Sequence, residues 1–252
     1  MHLIRSHLLA EHGFTGIFTT RQGGVSPPPT DSLNFAAEPF DSTEHVAENL
    51  ALLKKAVPLS RDPLRVMQVH GTDMLSCHHD MDPSSQRADA LLTDEPDLPL
   101  AVQTADCLPI LLADPGTGLM AAVHAGWRGT AGNILGRVAT RMVSLGADAN
   151  RLLACMGPCI GACCFAIDRA TAEQLLRCSP DAQQAVRLIN GTWHADLVAL
   201  NRYQLLALGV HEAHIETLDS CTSCHPRLFF SHRRDRGRTG RHLAIVARPV
   251  NP

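Results

Sequence analysis

The stretch 98–130, LPLAVQTADCLPILLADPGTGLMAAVHAGWRGT, constrains this chain more than any other. It contains three short apolar runs, 98–102, 108–113 and 119–123, separated by Asp, Pro and Gly. Short apolar runs bounded in this way read as buried strands. The chemistry lies between them and just past the last, at Asp106, Cys107, His124 and Arg128. A polar residue at the end of such a run emerges where the strand leaves the core. Cys107 follows one run and His124 ends another, so both are expected to face a shared pocket at one rim of a sheet.

The remaining pattern alternates irregularly. Strands are expected at 13–20, 65–71, 88–93, 151–156, 185–190, 214–218 and 241–248. The clearest early helix covers 41–57, with Asp41 as cap, Glu44 at the capping-box position, and Val46, Leu50, Leu53 and Val57 on one face. Pro58 ends it; that residue lies outside those the structure describes. Further helices are expected at 127–145, 168–178 and 194–208, the last stopped by Gly209. Arg128 falls in the Gly-rich first turn of the helix at 127, where free N–H groups would favour an anion. With no repeat, linker or low-complexity tract, residues 1–252 are expected to form one domain. Its class is α+β, because strands outnumber helices without regular βα alternation.

Composition narrows the function. A net charge of -3 and 4% aromatic residues argue against a polyanion-binding surface or base-stacking platforms, so no nucleic-acid partner is expected. No run approaches the roughly 20 apolar residues of a membrane span. Glu11 and His12 interrupt the N-terminal MHLIRSHLLAEHGF too early for a signal peptide, which suggests a cytoplasmic chain. In that compartment the nine cysteines are expected to be free thiols, mostly packed as small hydrophobes.

Four constellations carry possible chemistry. His70, Cys107 and His124 each stand at the end of an expected strand. Two imidazoles and a thiolate suit zinc and would leave a fourth position open. The same residues also read as satisfied turn histidines and a buried thiol, or as a Cys107 nucleophile with His124 as base. Residues 221–225, CTSCH, match the c-type haem pattern but read better as a solvent-side loop. Cys155, Cys159, Cys163 and Cys164 lie in apolar sequence and are expected to pack in the core. The basic run 233–241, RRDRGRTGR, is a solvated surface by default. Its planar guanidinium groups, Arg234 and Arg241 among them, also suit phosphate.

Taken together, FTTRQGGVS with SLN, QVHG at 68–71, DALLT at 89–93, TADCLPILLAD at 104–114, VHAGWRGT at 123–130, GPCIG at 157–161, WHADLVALNRYQL at 193–205 and FSHRRDRGRTGR resemble one family. This is the YfiH-type family, also called the laccase-domain or multicopper polyphenol oxidase family, whose members are described as purine nucleoside phosphorylases. His232 departs from it, standing where the family usually carries Tyr. The resemblance implies two packed mixed β-sheets flanked by helices in four layers, α/β/β/α, related to toxin deamidases. It implies zinc, with copper as the alternative, on His70, Cys107 and His124. It implies phosphorolysis of adenosine, inosine and methylthioadenosine, with adenosine deamination as a second activity. Purine nucleoside and phosphate would be the partners of a monomer or weak homodimer. Within that reading Asp89 or Asp106 would orient a ligand or relay a proton. Arg128 would balance phosphate charge, and Arg21 and Asn34 would hold ribose or phosphate. The rival readings are a copper oxidase, a metal-free cysteine amide hydrolase and a non-enzymatic binding module.

Overall fold

The computed structural model describes residues 1–57 and 59–249. Strand β1 (Leu3–Arg5), helix α1 (His7–Glu11) and strand β2 (Thr15–Thr19) open the chain. Helix α2 (Thr43–Ala56) follows, then β3 (Met74–Ser76), β4 (Ala90–Thr93), β5 (Leu100–Thr104), β6 (Leu108–Ala113) and β7 (Met120–Ala125). The second half holds α3 (Trp127–Ala131), α4 (Ile134–Ser144), β8 (Leu153–Met156), β9 (Ala166–Ile167), α5 (Arg169–Leu175) and α6 (Ala182–Ala185). It ends with β10 (Val186–Ile189), β11 (Thr192–Ala195), α7 (Leu197–Ala207), β12 (Ile215–Thr217) and β13 (His242–Ala247).

Two sheets dominate. One runs β1-β2-β13-β5, antiparallel throughout, and the other β12-β8-β6-β7-β4-β3, mixed. The period-2 alternation of side chains explains why both must be covered on two faces. Leu91, Leu111 and Ala122 of the larger sheet meet Phe18, Leu100, Val102 and Ala244 of the smaller one. Their neighbours Leu92, Ile110 and Val123 point the other way, onto Leu135, Val138 and Leu200 of α4 and α7. On the outer face of the smaller sheet, Ile17, Ala101 and Ile245 pack under Leu50 and Leu53 of α2. The α+β class and its four layers are therefore as expected. A third sheet, β10-β11-β9, is an addition, and β11 occupies residues expected to open the last helix.

Other differences have local causes. Ser42, not Asp41, caps α2, while the Asp41 carboxylate accepts from Ser42 N and the His45 ring. The helix expected at 127–145 breaks at Gly132–Asn133. Asn133 adopts φ 57 and its side chain accepts from Gly136 N, so it starts a second helix rather than continuing the first. Residues 65–71 do not form the expected strand and make one isolated bridge, Met67 to Arg87. The chain at 162–164 is a turn, so Cys163 is exposed and Cys164 half-buried; only Cys155 and Cys159 pack in the core as expected. No helix among the described residues is long and apolar enough to cross a membrane.

β13 carries a buried histidine that ties the basic run to the smaller sheet. His242 Nε2 accepts from Phe230 N at 3.0 Å. Burial first, then the charges of Arg21, Arg241 and Arg234, hold its pKa down at about 3 despite a bond to the Thr104 backbone. The unfolded chain would protonate it near pH 6.5. Its neutral form therefore costs nothing above about pH 6.5. As pH falls from there towards 3, the unfolded state takes a proton that the folded state refuses. Stability should fall by up to about 1.4 kcal/mol per pH unit from this residue alone. Urea midpoints measured at about pH 7.5 and pH 5 should converge for His242→Gln relative to the parent.

Candidate metal centre and its cavity

The polypeptide crosses from the smaller to the larger sheet at 105–107, between β5 and β6, and this crossing places Cys107. Asp106 bends the chain there with φ 92, a conformation that L residues seldom adopt. It is held by Thr222 Oγ1 and Arg233 N, both donating at 2.6 Å. His124 lies in β7, opposite Pro109 of β6. Its backbone N–H donates to the carbonyl of Asp89 at 2.8 Å, just before β4. His70 sits on the loop before β3 with φ 59.

Asp89 is the anchor. It is fully buried, and its carboxylate accepts from Val69 N, His70 N and Gly71 N at 3.2, 2.9 and 2.6 Å. It also pairs with His124 Nδ1 at 2.8 Å. One carboxylate thus fixes both the loop that carries His70 and the ring of His124. Burial works against its charge, but these bonds, that of His124 foremost, keep its pKa below the ordinary value. Because Asp89 occupies Nδ1, His124 has Nε2 free to serve as the ligand atom.

The ligand atoms of His70, Cys107 and His124 all lie within 4.8 Å of one another, and the two imidazoles meet edge to face at 4.8 Å between centroids. Burial pushes the Cys107 thiol up, but the charge of His124 and hydrogen bonds from both histidines bring it down to about 6. His124 is correspondingly held at about 9, against burial, by Cys107 and Asp89. A thiolate beside two imidazoles is a donor set for zinc or copper. The surroundings fit an ion as well. A Cβ at Gly126 would lie 3.1 Å from Cys107 Sγ and 3.3 Å from His70 Cδ2, so a glycine keeps the space beside the donors clear. Gly126 has φ -72 and ψ 174, which alanine also adopts. Gly126→Ala should therefore fold with less than about 1 kcal/mol of loss. It should nevertheless weaken zinc binding about tenfold, as displaced supporting groups do. A competitive zinc titration beside a melting curve checks both halves.

The three residues line a cavity of about 520 Å³, shared with Gln68, Gln103, Phe165, His232, Arg233 and Arg241. That volume lies within the roughly 300–1,000 Å³ typical of small-molecule sites. Of the residues singled out in the sequence, His70, Asp106, Cys107, His124, His232 and Arg241 reach this cavity, with Asp89 directly behind. The others are placed elsewhere. Arg128 is exposed and stacks on Trp127, 4.3 Å from its ring centroid. The helix it starts has only five residues and supplies little dipole. Arg21 is consumed by Asp31 and the Pro226 carbonyl, in a separate surface depression. Arg234 forks onto Asp235 and also donates to the carbonyls of Thr222 and Phe229. Asn34 is fully buried, and its Oδ1 accepts from Arg241 N at 2.8 Å, so it positions Arg241 from behind.

Sequence reasoning did not single out Gln68, Gln103 and Arg233 as cavity residues. Gln68 and the Gln103 backbone exchange two hydrogen bonds, at 2.7 and 2.8 Å, a pairing across 35 residues that no local pattern announces. Arg233 lies over the Phe165 ring at 5.4 Å and donates to the Ala166 carbonyl.

Fold and centre together define an α+β protein with a two-imidazole, one-thiol metal-type site at the floor of a small-molecule cavity. The chain belongs to the family described as multi-copper polyphenol oxidoreductase laccase, whose model matches residues 15–249. It is 39% identical over 246 residues to purine nucleoside phosphorylase YlmD of Geobacillus stearothermophilus, covering 91% of this chain and 88% of that protein. It is 37% identical over 235 residues to purine nucleoside phosphorylase YfiH of Escherichia coli, covering 93% of each. The crystal structure of the Geobacillus YlmD superposes with a TM-score of 0.88 at 36% identity, over 97% of this chain and 94% of that one. That of the Bacillus licheniformis hypothetical protein YfiH gives 0.87 at 32%, over 93% and 92%.

Proposed function

We propose that this chain is a zinc-dependent purine nucleoside phosphorylase acting on adenosine, inosine and methylthioadenosine, with adenosine deamination as a side activity. The observation that carries the reading is the His70–Cys107–His124 set, oriented by Asp89, opening onto a cavity with two guanidinium groups in its wall. The names of the Geobacillus and Escherichia relatives supply the substrate class.

When bound, zinc would supply Lewis acidity and bring the pKa of water to near 7. The chain's own residues do the rest. In phosphorolysis a phosphate oxygen bonds to the ribose anomeric carbon as the bond to the purine nitrogen breaks. Arg233 and Arg241 would hold the phosphate dianion; Arg241 is half-buried, so its charge is screened less than that of a surface arginine. Phe165 and Ile160 offer apolar wall for a purine. Asp89 keeps His124 in one tautomer and one orientation. His232 would meet substrate at the lip of the cavity with a ring nitrogen where relatives are expected to present a phenol.

Purified protein mixed with inosine and phosphate should yield hypoxanthine and ribose-1-phosphate in equal amounts. Zinc bound at the centre with neither product formed would reject the reading. The family's description favours a copper oxidase instead. Copper bound in place of zinc, with intense visible absorption and oxidation of phenols, would support that alternative.

A further inference from the structure

A second cluster lies away from the cavity floor. Cys163 and Cys164 occupy the turn before β9, and Cys221 and Cys224 the turn that follows β12. Their four sulfurs all lie within 4.8 Å of one another. Cys224 Sγ is 3.6 Å from Cys163 Sγ and 3.4 Å from Cys164 Sγ. A tetrahedral ion with metal–sulfur bonds of about 2.3 Å has sulfur–sulfur edges of about 3.8 Å. The thiols are thus already spaced for one ion.

Packing does not explain the arrangement. Cys163 and Cys224 are exposed, whereas Cys77, Cys155 and Cys159 are the thiols buried among apolar neighbours. Residues 221–224, Cys-Thr-Ser-Cys, have the C-x-x-C spacing of a zinc knuckle. The two turns are strapped together by the backbone. The backbones of Cys159 and Cys221 pair in a parallel β-bridge, and Thr222 N donates to the Cys159 carbonyl at 2.9 Å. Gly161 N donates to Cys221 Sγ at 3.3 Å, the kind of supporting bond that orients a metal-bound thiolate.

We infer that Cys163, Cys164, Cys221 and Cys224 form a second, closed metal site that takes zinc on four thiolates. Four sulfur ligands leave no position for water or substrate, so its role is structural. Binding converts four thiols to thiolates and releases their protons to solvent, with no change of oxidation state. The turn it would lock carries Thr222, which holds Asp106 beside Cys107 and accepts from Arg234 at its carbonyl. The ion would therefore brace one wall of the cavity without touching substrate.

The test uses the full chain with Cys107→Ala, which disables the three-residue centre, purified under reductant and loaded with zinc alone. Elemental analysis should find one zinc per chain, and X-ray absorption at the zinc edge should show sulfur ligands only. Adding Cys224→Ser should remove that zinc. If this variant does not fold, the Cys107→Ala chain is alkylated natively before and after chelation. Cys163, Cys164, Cys221 and Cys224 should then become reactive together on chelation. No tightly held zinc in Cys107→Ala, nitrogen or oxygen ligands at the edge, zinc retained in the Cys224→Ser form, alkylation of all four thiols before chelation, or a disulfide among them would overturn the inference. Because the count is made without the three-residue centre, it stands apart from the proposed activity.

Discussion

Cys107→Ala is expected to lower inosine phosphorolysis about a thousandfold. The thiol is the one anionic donor of the three-residue centre, and two flanking imidazoles bring its pKa down to about 6 against the opposing effect of burial. Alanine leaves two histidines, too few to hold an ion tightly between them. Lewis-acid stabilisation of transition-state charge is worth several kcal/mol, and each 1.4 kcal/mol is about tenfold in rate, which sets the expected size. Cys107→Ser should fare little better, because a serine hydroxyl is a poor zinc ligand at neutral pH. Steady-state kinetics, with the zinc content of each variant measured alongside, provides the check. A variant that loses zinc but keeps its rate would remove the metal from the mechanism. Amide turnover that zinc inhibits would instead favour a nucleophilic role for Cys107.

Asp89→Asn should have the next largest effect, through two separable routes. The parent carboxylate accepts from three backbone N–H groups and from His124 Nδ1. An amide offers one oxygen and two donors, so at least one N–H now faces another donor inside the protein. Losing bonds to a buried charge should cost about 1.5–3 kcal/mol of stability, read from urea unfolding. Losing the partner that orients a ligating histidine should weaken zinc binding about 10–100-fold, read from competition with a chelator. A purely structural Asp89 would show the first effect without the second.

How far the sequence foretold this molecule depends on the range of each interaction. The strands around Cys107 and His124 were legible because their apolar runs are short, continuous and bounded by breakers. The rim position of both residues followed from those boundaries. The break at Asn133 was less legible, since the apolar face of 134–145 continues a helical period from Trp127, and only the Gly-Asn pair marks the interruption. The guanidinium groups show the limit most clearly. Arg21, Arg128, Arg234 and Arg241 are chemically alike, and nothing in the residues beside them tells which is free to meet a ligand. Whether each is spent depends on distant partners, such as the Pro226 carbonyl for Arg21 and the Thr222 carbonyl for Arg234. Cys163 and Cys164 show the same limit. Their apolar context suggested the core, while their partners wait some 60 residues further on.

The most direct measurement is anomalous scattering at the zinc edge from a crystal grown with zinc. The expected result is a peak about 2.3 Å from Cys107 Sγ and about 2.0–2.1 Å from a ring nitrogen of each of His124 and His70, with its remaining side open to the cavity. A zinc-containing crystal with no peak among those three side chains, or with a protein atom closing the side that faces the cavity, would contradict it.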